Sequence, residues 1–576
     1  MKQIEGIAAA PGIAMGPVFQ FRQVDLQVRR YMIDHPDEEI LRLENALKIA
    51  SDQVQAVYEK AKERTAEGQA SVFEAHLMIL QDPDLLGKIR ESITNKKLNA
   101  ESSVRDATEF YARTLEGMKN EYFRSRATDV RDIAGRLVRI LSGVNGANLD
   151  GLVEPSIVIA RELTPSDTIL LDQQLVLGFC TVAGSETSHT AILARGLGIP
   201  AVVGSGLKIL DIPNGQEVIL DGTEGKLYPD LTKELKDSYR NRKISIAAKT
   251  EKAVADCQKP AITLDNHRVE VVANIGNVTD AQAALQKGAE GVGLLRTEFL
   301  YMERGELPGE EEQYQAYKAI FDVFGNLPVV LRTSDIGGDK ALPYLNLEKE
   351  ANPFLGVRGL RLALLHSQEL FKPQLRAALR AGVGHDLRIM FPMVAVLEEI
   401  HQARTILEEC KNELAREGKS LPATIQVGIM VEVPSAALMA DKLAPSVDFF
   451  SIGTNDLTQY TLAVDRTNPN LAYLTSAFSP AVLRLIQNVI TQAHRHQKWV
   501  GLCGELAGEP LAIPILLGLG LDEFSMNPSA IPTAKQVIRG LKVPECQQLA
   551  GDVLDYESAS QVRACVKDRF PSIMSA

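Results

Sequence analysis

After residue 260 the chain repeats one pattern eight times: a short apolar run, a polar turn, then a stretch with helical spacing of its apolar residues. The runs are Val269–Asn274, Gly291–Arg296, Pro328–Arg332, Arg388–Met393, Gln426–Glu432, Asp448–Gly453, Trp499–Cys503 and Glu523–Met526. Runs this short and apolar read as strands buried on both faces. The helix-like segments between them, such as Thr279–Lys287, return the chain for a parallel neighbour. Eight βα units are the count of a (β/α)8 barrel, whose side chains just past the strand ends gather in one mouth. The same pattern admits a doubly wound open sheet.

Polar residues fall where these strands end. The second is followed by Arg296-Thr297-Glu298, and the third by Arg332-Thr333-Ser334-Asp335 and Gly337-Gly338-Asp339-Lys340. Glu432 closes the fifth, Asn455-Asp456 follow the sixth with Arg466 ten residues later, and Cys503-Gly504-Glu505 end the seventh. In one mouth these give guanidiniums suited to bidentate phosphate or carboxylate contact, so Arg296, Arg332 and Arg466 point to a small, highly anionic substrate. Glu432 and Asp456 are hard oxygen donors suited to Mg²⁺, which takes one or two carboxylates plus substrate oxygens and water. Each Arg also reads as an ordinary salt-bridge partner, and Cys503 as a buried small apolar residue or as an acid–base group.

The first 260 residues differ. Residues 1–20 alternate small and apolar groups around Pro11-Gly12, like a strand and turn. From Pro36 to Asn145 the spacing turns helical. Leu41, Leu43, Ala46, Leu47, Ala50 and Val54 mark one helix, and Val72, Ala75, His76, Met78, Ile79 and Leu80 a second. Two more are expected over 100–118 and 128–142, making an inserted helical bundle. Short strands resume at Ser156–Ala160, Leu175–Phe179, Ala201–Val203 and Glu217–Leu220. Within this mixed unit, Gly184-Ser185-Glu186-Thr187-Ser188-His189-Thr190 runs into an amphipathic segment ending at Arg195. Backbone N–H groups at a helix start stabilise phosphoryl oxygens, a neutral imidazole can attack phosphorus, and Arg195 can reach the equatorial oxygens. The bland alternative for His189 is a surface or capping histidine. A Lys-, Arg- and Glu-rich stretch from 231 to 255 reads as a solvated helix between domains.

At 576 residues the chain exceeds one ordinary core. Its net charge of −12 argues against a nucleic-acid backbone as main partner and leaves a basic protein partner open. No apolar run approaches the ~20 residues that span a bilayer, and Met1-Lys2-Gln3-Ile4-Glu5 lacks a signal-peptide pattern. Six cysteines without paired spacing fit a reducing compartment, so a cytoplasmic protein without a membrane or nucleic-acid role is expected.

Along its whole length the chain resembles Enzyme I of the phosphoenolpyruvate:sugar phosphotransferase system. The His189 segment resembles the phosphohistidine motif of phosphoenolpyruvate-utilising enzymes. Asp448-Phe449-Phe450-Ser451-Ile452-Gly453-Thr454-Asn455-Asp456-Leu457-Thr458-Gln459 resembles their second signature, and Arg332 to Lys340 also reads as family sequence. Ser185 and Glu186 depart from the family pattern, which places a small residue and an Arg there.

The resemblance implies a multi-domain α/β protein. Residues 1–30 and 146–230 would form a swivelling phosphohistidine domain, and 31–145 an inserted helical domain that binds the carrier protein HPr. Residues 231–260 would be a linker helix, and 261–576 a C-terminal TIM barrel for phosphoenolpyruvate binding and dimerisation. It implies that His189 accepts the phosphoryl group of phosphoenolpyruvate through Nε2 and passes it to a histidine of HPr, releasing pyruvate. Arg296 and Arg332 would hold the substrate phosphate, Asn455, Asp456 and Arg466 would bind substrate, and Cys503 would protonate the enolate carbon. Glu432 and Asp456 would ligate Mg²⁺, or Mn²⁺ in its place, while Thr168, Arg195, Lys340 and Arg358 would support. HPr would dock around Glu67, Phe73, His76, Met78 and Arg126, and the barrels would pair as a homodimer. Two alternatives stay open: a pyruvate phosphate dikinase or phosphoenolpyruvate synthase, which needs a nucleotide-binding domain, and a regulatory protein that senses phosphoenolpyruvate.

Overall fold

The computed structural model describes the chain except residues 1–2, 22–27, 65–69, 117–120, 144–151, 153, 164–173, 185–189, 192–193, 195–197, 303, 339–341, 343, 346–349, 467, 469–470, 472–473, 572 and 574–576. It divides into two compact units, Met1–Arg240 and Asn241–Ala576.

Among the described residues the first unit has eight strands: β1 (Ile4–Glu5), β2 (Ile7–Ala10), β3 (Ile13–Phe21), β4 (Ser156–Ala160), β5 (Val176–Thr181), β6 (Ala201–Val203), β7 (Glu217–Asp221) and β8 (Lys226–Tyr228). They lie in the order β1-β8-β7-β3-β4-β5-β6-β2, with β3 to β6 parallel. Both faces of β4 are covered, and the pleat shares them out. Val158 and Ala160 join one core with Phe21, Phe179 and Ala201, while Ile157 and Ile159 join another with Cys180, Val202 and Val218.

Between β3 and β4 the described residues form five helices: α1 (Pro36–Arg64), α2 (Ala70–Gln81), α3 (Pro83–Lys96), α4 (Ala100–Glu116) and α5 (Glu121–Leu141). Their shared core includes Leu43, Ala46, Ala50, Val54, Ile89, Ile93, Val104, Ile133 and Leu137. Sequence periodicity anticipates four helices here; α3 is the addition, and α5 begins well before the expected 128. Asp82-Pro83 reads as a break yet starts α3: the Asp82 carboxylate caps Leu85 N at 2.8 Å and Pro83 fills the first helical position.

A further helix, α6 (Lys233–Ala255), is mostly exposed, as its charged composition predicts. Tyr239 is its buried foothold in the first unit, donating to Asp221 Oδ2 at 3.1 Å, with Lys236 paired to Glu217 nearby.

The second unit holds β9 (Ala261–Ile262), β10 (Arg268–Ile275), β11 (Val292–Leu295), β12 (Val329–Arg332), β13 (Leu387–Phe391), β14 (Ile425–Val431), β15 (Phe449–Ile452), β16 (Trp499–Leu502) and β17 (Glu523–Met526). β10 to β17 are parallel, and β10 pairs with both β11 and β17, so the sheet closes into an eight-stranded barrel rather than staying open. β9 is a short antiparallel flap on β10. Leu294, Val330, Met390, Met430, Phe449 and Cys503 fill the lumen. At the floor Trp499 stacks on Phe449 with centroids 4.4 Å apart, and the Arg388 guanidinium lies over the indole. Alternate strand residues, with Phe321, Phe371, Leu375, Leu407 and Ile486 from the helices, make the outer core.

Candidate active site

The barrel strands are mostly apolar, and many of the polar residues that the motifs supply collect at or just beyond their C-terminal ends. Arg332 is the last residue of β12 and is buried. Its Nη2 donates to Glu298 Oε1 at 2.9 Å, and its Nη1 lies 3.4 Å from Asp335 Oδ2 and 3.5 Å from Met430 Sδ. Its Nε–H is buried without a hydrogen-bond partner among the described residues. A guanidinium N–H in that state awaits an acceptor. Burial works against the charge, but Glu298, Asp335 and Glu432 outweigh it and keep this group cationic.

Arg358, fully buried, forks onto Asp335 through Nε and Nη2 at 3.0 Å each, and its Nη1 reaches Asp456 Oδ1 at 2.8 Å. Asp456 Oδ2 meets Arg466 Nη1 at 3.4 Å. The loop that brings Arg358 here needs glycine at 337, where φ is +106° and a Cβ would sit 2.9 Å from Arg358 Cα. Glu432, one residue past β14, accepts from Met393 N at 2.6 Å. Burial, with Asp335 and Asp456 alongside, pushes its carboxyl well above the usual carboxylate range, against the pull of Arg332 and Arg358. Carboxylates crowded in this way gain from a cation between them. Among the described residues no group of three His, Cys, Asp or Glu side chains is arranged to hold a metal. A pair of carboxylates that leaves positions for substrate and water is the set Mg²⁺ accepts.

Cys503 follows β16 and faces the lumen, buried. The Ser451 hydroxyl donates to its Sγ at 3.3 Å. Burial pushes the thiol up to about 11, against the opposing effects of Ser451, Arg332 and Arg296, so it is protonated at neutral pH and able to donate. The apolar surroundings of the bland reading are therefore real, and they hold the proton on sulfur further into the alkaline range. Gly504 lets β15 and β16 close here, since a Cβ would collide with Thr454. Asn455 exchanges contacts with Glu505, accepting from its N–H at 3.3 Å. The Arg296 side chain is exposed at the rim, with its N–H held by Ile275 O at 2.9 Å.

The fold thus brings Arg296, Arg332, Arg358, Glu432, Asn455, Asp456, Arg466 and Cys503 to one end of the barrel. Lys340 lies outside the described residues, as do His189, Arg195, Thr168 and Glu67, and so do the side chains of Phe73 and Arg126. Next to His189, Thr190 and Ala191 are helical, and Ala191 and Ala194 pack into the first unit's core. One expectation is corrected. His76 lies on the inward side of α2, 1% exposed, with ring nitrogens 3.5 Å from Asp129 and 4.0 Å from Asp132, so it cannot face a docking protein. Met78, two residues on, is exposed. Sequence reasoning gave no role to Glu298, Asp335, Ser451 or Gln374, although the first three stand inside the motifs that drew notice.

Comparison with known proteins gives three family matches along the chain. Residues 5–126 match the N-terminal model of the phosphoenolpyruvate-utilising enzymes, residues 152–225 their mobile domain, and residues 250–543 their phosphoenolpyruvate-binding domain. The chain is 45% identical over 569 residues to the phosphoenolpyruvate-protein phosphotransferase of Priestia megaterium, covering 99% of each. It is 46% identical to that of Geobacillus stearothermophilus, covering 99% of this chain and 98% of the relative. With that of Bacillus subtilis (strain 168) it shares 43%, over 99% of this chain and 100% of the relative.

Proposed function

The chain belongs to the phosphoenolpyruvate-protein phosphotransferases, and from that premise we propose that His189 is the residue that carries the phosphoryl group. The chain is an enzyme that moves this group from phosphoenolpyruvate to protein and releases pyruvate, the entry step of the sugar phosphotransferase system. No helix among the described residues is long and apolar enough to cross a membrane, and all six cysteines are free thiols. Both accord with a cytoplasmic enzyme.

Phosphoenolpyruvate enters the barrel mouth with its phosphate toward Arg296 and Arg332, whose open Nε–H donates to a phosphate oxygen, and its carboxylate toward Asn455 and Arg466. Glu432 and Asp456 would hold Mg²⁺, which when bound neutralises charge on the phosphoryl and enol oxygens. Arg358 donates to both Asp335 and Asp456 and so fixes the two carboxylates in place. As the bond from phosphorus to the enol oxygen loosens, the guanidiniums offset the charge that spreads over the phosphoryl oxygens. His189 Nε2 takes the phosphoryl group in line. The enolate left behind takes a proton at C3 from the Cys503 thiol, and the Ser451 hydroxyl donates to the resulting thiolate. His189 then gives the phosphoryl group to a histidine of HPr, docked on the helical insertion of residues 31–145. The mobile unit comprises residues 1–30 and 146–230, residues 231–260 link it to the barrel of 261–576, and the barrels pair as a homodimer.

The observation that carries this reading is the convergence of a protonated buried thiol, two crowded carboxylates and an Arg332 N–H without an acceptor at one barrel mouth. Incubation with labelled phosphoenolpyruvate and Mg²⁺, with and without HPr, followed by mapping of the label, tests it. Acid-labile label on His189 that is discharged by HPr is expected; label on any other residue contradicts it.

A further inference from the structure

We propose that Gln374 is a positioning residue for Arg332, acting through a buried chain of hydrogen bonds on the helix side of the barrel wall. The inference rests on the reading of Arg332 as a phosphate-binding residue. Gln374 belongs to the helix Lys372–Ala381, is fully buried, and touches none of the groups assigned to substrate or metal. Its Oε1 accepts from Ser334 N at 2.9 Å, and its Nε2 donates to Thr297 Oγ1 and Tyr317 OH at 3.1 Å each. Thr297 in turn donates to the carbonyl of Arg332 at 2.9 Å. One amide therefore grips both sides of the Arg332 exit: the carbonyl of Arg332 itself, through Thr297, and the N–H two residues on. Thr297 also sets its neighbour Glu298, whose Oε1 accepts from Arg332 Nη2 and from Asp335 N at 2.8 Å.

The direction of every bond is forced. Gln313 Nε2 donates to Pro308 O at 3.0 Å, so Gln313 Oε1 receives the hydroxyl protons of Tyr301 and Tyr317, at 2.9 and 3.0 Å. Tyr317 has then spent its proton and must accept, as must Thr297, whose proton goes to Arg332. Only a side chain with one acceptor and two donors answers Ser334, Thr297 and Tyr317 together, and an amide is that side chain. A network in which the amide and both hydroxyls are answered, sealed from water, holds those groups to one arrangement. An apolar residue at 374 leaves the Ser334 N–H and two hydroxyl oxygens unanswered, and the strand end relaxes toward water. What relaxes is the residue whose Nε–H faces the substrate phosphate.

The test is steady-state turnover of the full chain with phosphoenolpyruvate, Mg²⁺ and HPr, together with inhibition by pyruvate, which lacks the phosphate. Gln374→Met is expected to raise KM for phosphoenolpyruvate by on the order of tenfold to a hundredfold, the usual cost of a displaced positioning contact. Inhibition by pyruvate should change less than about threefold, since Asn455 and Arg466 are untouched by this network. Gln374→Glu, neutral when buried and keeping one acceptor and one donor, should recover most of the loss. Equal weakening of both ligands, or a lowered melting temperature with KM unchanged, would overturn the proposal. Should Gln374→Met not fold, Thr297→Val against Thr297→Ser asks the same question at near-constant volume. Loss of phosphoenolpyruvate affinity in Val with recovery in Ser supports the network, and equal behaviour of the two overturns it. Arg332→Ala is the control: if it leaves KM unchanged, the reading of Arg332 fails; if it raises KM while Gln374→Met does not, this inference alone fails.

Discussion

At the scale of single residues, burial makes the Cys503 thiol a weaker acid than it would be in water. Cys503 holds its proton because the lumen of Leu294, Val330, Met390 and Met430 desolvates the thiolate more than Arg332 and Ser451 can stabilise it. An acid with its value near 11 gives up its proton only when a strong carbon base is made beside it, and an enolate is such a base. Cys503→Ala should slow pyruvate formation by about 10² to 10⁴, the usual worth of a positioned acid, with phosphoenolpyruvate affinity changed only a few-fold. Rapid-quench measurement of pyruvate checks this; unchanged turnover removes Cys503 from the mechanism. The motifs made the donors legible, since Arg332, Glu432, Asn455, Asp456 and Cys503 stand next to strand ends that periodicity alone locates. The charge balance was not legible. Glu298 and Asp335 answer Arg332 and Arg358, and Arg358 lies in a loop after β12 with no spacing to announce it. Gln374 is invisible in sequence because a buried amide on a helix reads like any polar position.

Among the elements, the barrel strands could be placed from the sequence within a residue or two, because both faces are buried and the runs stay apolar to their ends. The bundle was harder. Helix α3 carries Asp84, Lys88, Arg90 and Glu91 outward and buries only Leu85, Ile89, Ser92 and Ile93, behind an Asp-Pro pair that resembles a turn. His76 was misplaced for the converse reason: a polar ring on α2 suggests surface, while its neighbours on the bundle side are Asp129 and Asp132. The barrel also hides an acidic group at its floor. Glu523, the first residue of β17, is buried with neither carboxylate oxygen hydrogen-bonded among the described residues, and Arg388 is 3.9 Å away. Burial pushes its carboxyl up to about 8 from an ordinary 4.5, against Arg388 and with Glu270 and Asp522 adding to the rise. A group raised in this way stabilises the fold fully below about pH 4.5, and that stabilisation is lost as pH climbs through about 8. Glu523→Gln, which cannot ionise, should therefore melt close to the parent at pH 5 and above it at pH 8, by on the order of 2 °C or more. A gap that is the same at both values would mean that Glu523 is ionised in the fold at neutral pH.

For the whole molecule, the chemistry is divided. The groups proposed to hold and protonate the substrate lie in the unit Asn241–Ala576, whereas His189 falls within Met1–Arg240. The chain order read from sequence, a mixed sheet interrupted by helices, a charged helix and a barrel, recurs in the order of the observed elements. What no residue pattern could give is the distance between His189 and the barrel mouth, because spacing along a chain carries no distance between separately folded units. The account rests on a histidine that receives what the barrel has already bound and activated. His189→Ala, mixed with labelled phosphoenolpyruvate and Mg²⁺, tests that division most directly when substrate binding and covalent labelling are measured on the same sample. The account predicts phosphoenolpyruvate affinity within about threefold of the parent, the margin of a residue that contributes no ground-state binding, and no acid-labile label. Normal labelling of the variant, or complete loss of substrate binding with it, would contradict the account.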